Sequence, residues 1–169
     1  MTSPNEHLRF LELAEEFYQA FRDLPEKAPS GLPISWPRYF MLCHAVELAL
    51  KAFLLAQGVP LKDLENNRIF GHRIDALLKE AHEHGLAIGP LERSELEQLH
   101  AAHAGYWPRY PMKKAGPVFR IEPFEPYVVK LLEAVRAAVR GGFALHVQYG
   151  TASAPKSARR RSARKKQSS

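Results

Sequence analysis

Residues 43–58 read CHAVELALKAFLLAQG, a long run that is apolar almost throughout. Three ionisable side chains interrupt it, His44, Glu47 and Lys51, at spacings of three and four residues. In an α-helix this spacing places all three on one side, while every other face of the helix is apolar. The run therefore predicts a buried central helix with one narrow polar stripe.

The polar stripe has two interpretations, a catalytic device or a structural seam of mutually paired groups. An unpaired buried charge is strongly unfavourable, which favours pairing within the stripe. Glu47 lies within reach of both His44 and Lys51 on the same helix. His72 or Arg109 can approach it from neighbouring helices. We predict a structural polar seam made of His44, Glu47, Lys51 and His72.

Four more helices are predicted around the central one, which itself spans about residues 35–57. Each combines apolar residues three and four apart with proline or glycine at its ends. They cover about 3–23, 72–84, 90 to 105–111, and 125–140. The apolar faces are predicted to hold Leu8, Leu11, Ala14, Phe17, Tyr18, Phe21, Ile74, Leu77, Leu78, Ala81, Val128, Leu131, Leu132, Val135 and Val139. On the fourth helix, four residues are predicted to lie on or near one face: Leu91, Leu96, Leu99 and His103. The fold class is all-α, an up-down bundle of four to five helices.

Two stretches lack the helical period. Residues 111–124 contain three prolines, which predicts an extended crossing segment. The alternation in FALHVQY, residues 143–149, predicts a short strand or extended C-terminal arm.

The positive charge of the chain lies at its C-terminal end. The 169 residues include 24 basic and 18 acidic side chains, a net charge of +6. Residues 151–169 hold seven of the basic residues and no acidic one, so 1–150, with 17 basic and 18 acidic, carry −1. We predict a helical domain over 1–150 and a disordered basic tail over 151–169. The tail either contacts phosphates without sequence preference or only improves solubility.

The location of the protein is predicted from three absences in the sequence. The single cysteine, Cys43, excludes an internal disulfide framework and fits a reducing compartment. No apolar run is expected to reach the length of a membrane span, and the N-terminus lacks a signal-peptide pattern. A cytoplasmic protein with no membrane association is predicted.

Three motifs occur in order along the chain: CHAVELALKAFLLAQGV, then GHRIDALLKEAHEHGL, then GYWPRYP. Together they resemble the HEPN family of small prokaryotic helical domains, over about residues 8–140. The matching positions are Glu47, Leu48, Leu50, Lys51, Gly71, His72, Ile74, Leu77, Leu78, Arg109, Tyr110 and Pro111. The resemblance implies a homodimer with a cleft between protomers. Many relatives are RNA-cleaving toxins encoded beside a nucleotidyltransferase-like antitoxin.

The family's catalytic signature is an arginine followed by a histidine a few residues later, acting without a metal or cofactor. The arginine stabilises charge on the phosphate and the histidine transfers protons. Arg93 and His100, on the fourth predicted helix, have this spacing and are the catalytic candidates. Arg38 and His44 also have it, but they lie on the central helix.

A candidate binding surface follows the fourth helix. It mixes aromatic and basic side chains able to stack on bases and to contact phosphates: Tyr106, Trp107, Arg109, Tyr110, Lys113 and Lys114. The alternative is that the aromatic residues close the end of the bundle and Arg109 pairs with Glu47. No metal site is predicted, because Glu97 and His100 lack a second matching pair.

Two function classes remain. The favoured one is a noncatalytic or degenerate HEPN-like protein that binds RNA, a nucleotide or a partner protein in a toxin–antitoxin or defence context. The alternative is a HEPN endoribonuclease that uses Arg93 and His100 at a dimer cleft.

Overall fold

The computed structural model describes residues 5–26, 35–103 and 120–148, with the backbone alone for 101–103 and 142–148. Within these ranges the fold is all-α, without a strand, and has six helices and one 3-10 turn at Glu122–Phe124. The helices are α1 Glu6–Asp23, α2 Trp36–Ala56, α3 Leu61–Leu64, α4 Ile74–Glu83, α5 Pro90–His103 and α6 Glu125–Gln148. The predicted all-α class is therefore confirmed.

Helix α2 is the central element, as predicted. Every residue from 45 to 54 is buried, and the helix packs against α1, α4, α5 and α6. Pro37 lies in its first turn, where a missing N–H costs nothing. At its C-terminal end, the N–H of Val59 donates to the Leu54 carbonyl and that of Gly58 to Leu55. This closing turn satisfies carbonyls that the helix leaves without a partner.

Helix α1 lies antiparallel to α2 and also contacts α6. Phe17 meets His44 and Phe21 meets Arg38, an order that runs in opposite directions along the two helices. The predicted inward faces of α1, α4 and α6 are confirmed as buried or half-buried. On α5, Leu96 and Leu99 are buried, whereas Leu91 is 57% exposed. Leu91 lies in the first turn of α5, beyond the packed part of the helix.

Two local predictions were wrong, and one short helix was not predicted. The extended arm over 143–149 was wrong, because α6 continues to Gln148 through Gly141 and Gly142. Glycine lowers helix stability by about 1 kcal/mol without preventing the conformation. The crossing segment was wrong at 122–124, where Pro123 fits a 3-10 turn since its φ is helical. The one-turn helix α3 was not predicted, since four residues are too few to show a period.

The prediction that no apolar run has membrane-spanning length was also wrong. By length and composition alone, helix α2 is long and apolar enough to cross a membrane, with a mean hydropathy of 1.6 over its most apolar window. However, 72% of that window is buried within the fold. Packing against four other helices accounts for its composition, as in the core helix of a soluble protein.

Candidate functional site

The polar stripe of α2 forms a cluster centred on Glu47, which we call the Glu47 cluster: His44, Glu47, Lys51 and His72. Lys51 Nζ donates to Glu47 Oε1 at 2.8 Å. His72 Nδ1 lies 3.1 Å from each oxygen of the same carboxylate. His44 Nδ1 is 3.7 Å from Oε2, too far for a hydrogen bond. The structure thus brings together all four residues of the predicted seam.

The exposure of the cluster residues increases from the core to the surface. Glu47 is 1% exposed and Lys51 is 6% exposed, whereas the His72 side chain is 36% exposed. A buried carboxylate and a buried ammonium are tolerated here because each offsets the charge of the other. The burial of Cys43, and then the nearby Glu47, raise the pKa of its thiol well above the ordinary value. The cysteine is therefore a neutral core residue.

His44 takes part mainly through its ring. It stacks on Phe40 at a centroid distance of 5.5 Å and meets the Phe17 ring edge-on at 4.4 Å. These contacts hold the imidazole at the junction of α1 and α2. His44 therefore lies at the edge of the Glu47 cluster and does not donate a hydrogen bond to Glu47.

A glycine turn places His72 against Glu47. Gly71 has φ +49°, a left-handed conformation that side-chain-bearing residues rarely adopt. A Cβ at this position would lie 2.8 Å from the Cα of Asn67. The turn is therefore restricted to glycine for two reasons, conformation and space. It directs the next residue, His72, back onto α2 just before α4 begins at Ile74.

The predicted catalytic pair does not form a common site in this structure. Arg93 Nε donates to Glu97 Oε1 at 2.9 Å. His100 Nε2 lies 3.1 Å from Asp75 Oδ1 on α4, and its Nδ1 is buried. The two residues are seven positions apart, so they are separated by about 10 Å along the helix axis. Each side chain contacts a different carboxylate.

Asp75, in the first turn of α4, contacts both Arg73 at the start of the same helix and His100 on α5. Its Oδ2 accepts from Arg73 Nη2 at 3.2 Å, and its Oδ1 faces His100. Burial raises the pKa of Asp75, but the hydrogen bonds from Arg73 and the Ala76 backbone and the charge of His100 outweigh it, so the pKa is lowered. Sequence reasoning missed Asp75. Its one signal was a position in the first turn of a helix, which does not reveal that α5 packs alongside.

The second arginine–histidine pair, Arg38 and His44, is also separated. Arg38 is 5% exposed, donates from Nη1 to the Leu24 carbonyl at 2.8 Å and lies over the Phe21 ring at 4.3 Å. It joins the start of α2 to the C-terminal end of α1, whereas His44 lies beside Glu47. Arg38 is thus a core residue of the helical hairpin.

A cleft of about 270 Å³ lies between α1 and α6. Tyr18, which lines it, donates to Glu125 at 2.9 Å; burial, followed by this contact, raises its pKa to about 12. Arg136 donates to Glu15 at 2.7 Å across the same cleft. These contacts tie α6 to α1, and none of the predicted site residues within the described ranges lines the cleft.

Three predictions remain: the aromatic and basic binding surface, the basic tail and the absence of a metal site. The surface from Tyr106 to Lys114 and the basic tail 151–169 lie outside the described residues. Among the residues that are described, no group of three histidine, cysteine or acidic side chains is arranged to hold a metal ion.

No protein-family model matches the chain, and neither a curated protein nor a solved structure does.

Proposed function

We propose that the protein is a noncatalytic HEPN-like module that binds single-stranded RNA, as a cytoplasmic homodimer in a toxin–antitoxin or defence context. A nucleotidyltransferase-like antitoxin is the partner that the HEPN resemblance implies. The binding surface is the segment Tyr106–Lys114, with the basic tail adding long-range attraction. The Glu47 cluster stabilises the fold that carries this surface.

The state of His100 carries the noncatalytic part of the proposal. A proton-transfer histidine needs a ring nitrogen that a substrate atom can reach. In His100, Nε2 faces Asp75 and Nδ1 is buried. Arg93, about two turns away, contacts Glu97. This arrangement supports a structural role for the pair, joining α4 to α5.

The distribution of charge favours RNA over a nucleotide or a protein partner. All 18 acidic side chains lie in the described ranges. Residues 104–119 hold Arg109, Lys113 and Lys114 and no acidic residue, and 149–169 hold seven basic residues and none acidic. Basic segments with interspersed aromatic residues suit a polynucleotide, which offers both phosphates and stacking faces.

Fluorescence anisotropy with a labelled twelve-residue oligouridine tests the binding surface. We expect Trp107→Ala to weaken binding roughly tenfold, because stacking contributes about 1–3 kcal/mol per base. Changing Lys113 and Lys114 together to glutamine should flatten the salt dependence by about 1.4 in the logarithmic slope. Lys62→Gln changes an exposed lysine on α3; it is the matched control and should bind like the wild type.

Truncation after Gly150 tests the tail, and should weaken binding at low salt more than at high salt. The same RNA, incubated with wild type and with His100→Gln, tests the ribonuclease alternative. We expect intact RNA in both cases. Cleavage that disappears in His100→Gln would replace the noncatalytic proposal, and the absence of RNA binding by the wild type would remove RNA as the ligand.

A further inference from the structure

The orientation of His72 determines which of its ring nitrogens is available to a ligand. Its Nδ1 lies 3.1 Å from both oxygens of Glu47. A carboxylate only accepts hydrogen bonds, so Nδ1 is the donor and carries the proton in the neutral ring. Nε2 lies on the other side of the ring, and 36% of the side chain is exposed. Protonation therefore adds an N–H donor and a positive charge at the edge away from Glu47.

Arg73 follows His72 in the sequence and is the N-cap residue of α4. Its side chain is 53% exposed, and its contact with Asp75 occupies one of five guanidinium N–H donors. Such an exposed ion pair is weak, since water and salt screen it. The guanidinium can therefore contact a phosphate while keeping Asp75 as a neighbour.

The charges around His72 nearly cancel when its ring is neutral. On α2, Lys51 offsets Glu47; beside α4, Arg73 offsets Asp75. Two further histidines lie against the acidic members of these pairs: His44 on α2 beside Glu47, and His100 on α5 beside Asp75. Protonation of His72 changes this balanced group into a positive one. The attraction for an anion is therefore stronger when the His72 ring is protonated than when it is neutral.

We propose that His72 and Arg73 form a phosphate-contacting site for single-stranded RNA at the start of α4, strengthened when the His72 ring is protonated. The site rests on the proposed RNA-binding function and adds to it a pH-dependent contact outside the Tyr106–Lys114 surface. Glu47 is its positioning residue, because it fixes the ring through Nδ1.

Anisotropy titrations of the labelled oligouridine at pH 5.5 and 8.0, at one low salt concentration, test the site. We expect the wild type to bind about fivefold more tightly at pH 5.5, as one added charge-assisted contact would give. His72→Gln keeps an amide able to donate to Glu47 but cannot gain charge. It should lose most of the difference between the two pH values. Arg73→Gln should bind about threefold more weakly at both.

His82→Gln is the matched control, since His82 is an exposed histidine on α4, the helix that follows His72. It should retain the full pH dependence. Wild-type binding that is independent of pH, or a pH dependence that survives in His72→Gln, would overturn this site and leave the proposed function standing. Failure of the wild type to bind RNA at either pH would overturn both. If His72→Gln does not fold, unchanged affinity in Arg73→Gln would still contradict the site.

Discussion

The Glu47 cluster and the Arg93–His100 pair differ in how their residues come together. In the cluster, α2 and the turn before α4 direct three ionisable side chains, those of His44, Lys51 and His72, towards the Glu47 carboxylate. In the pair, the sequence spacing matches a catalytic signature, but Arg93 contacts Glu97 and His100 contacts Asp75. Ionisable residues form one hydrogen-bonded group here where different parts of the chain bring them to a single carboxylate. A suitable spacing along one helix was not sufficient.

Removing the central carboxylate should have the largest effect. Glu47→Leu leaves Lys51 buried without its partner, and we expect the free energy of unfolding to fall by about 3–5 kcal/mol. Urea denaturation measures the change. Adding Lys51→Met should restore much of the stability, because the double variant buries no charge in the pair. A double variant that is as unstable as Glu47→Leu would show that the pairing is not the cause.

The turn before His72 should be the next most sensitive position. Gly71→Ala combines left-handed strain with a close approach to Asn67, and we expect a loss of about 2–4 kcal/mol. Gly85→Ala is the matched control, because Gly85 has φ +84° but a Cβ there would meet nothing within 4 Å. It should cost about 1 kcal/mol. Equal losses would mean that the close approach to Asn67 contributes nothing.

Asp75→Asn should have a smaller, pH-dependent effect. Near pH 7 we expect a loss of about 0.5–1 kcal/mol, since the Asp75 contacts are partly exposed. The pKa of Asp75 is lowered on folding, so its contribution is complete above the ordinary value of 3.8 and is lost as the pH falls below it. Urea titrations at pH 7, 4 and 2.5 should show the two proteins converging in acid. A constant difference would contradict this linkage.

Arg93→Gln should change stability least. Its contact with Glu97 joins two partly exposed side chains one helical turn apart, and such pairs contribute less than about 0.5 kcal/mol. A loss above 1 kcal/mol, or a change in RNA integrity between wild type and variant, would show that Arg93 does more than the structure indicates.

The predicted fold depended on patterns that a sequence expresses directly. Residues Ile74, Leu77, Leu78 and Ala81 repeat at helical spacing, and all four are buried. Errors occurred where local patterns are ambiguous. The alternation over 143–149 suggested a strand, but α6 continues through it to Gln148.

The sequence by itself determined the central helix and the composition of its polar stripe, because buried charges require partners and the partners lie one turn apart. Tertiary structure decided which distant groups complete each contact. Gly71 turns the chain so that His72 reaches Glu47, and the packing of α4 on α5 turns His100 towards Asp75. Contacts between helices depend on crossing geometry and on turns, which spacing along a single helix does not encode.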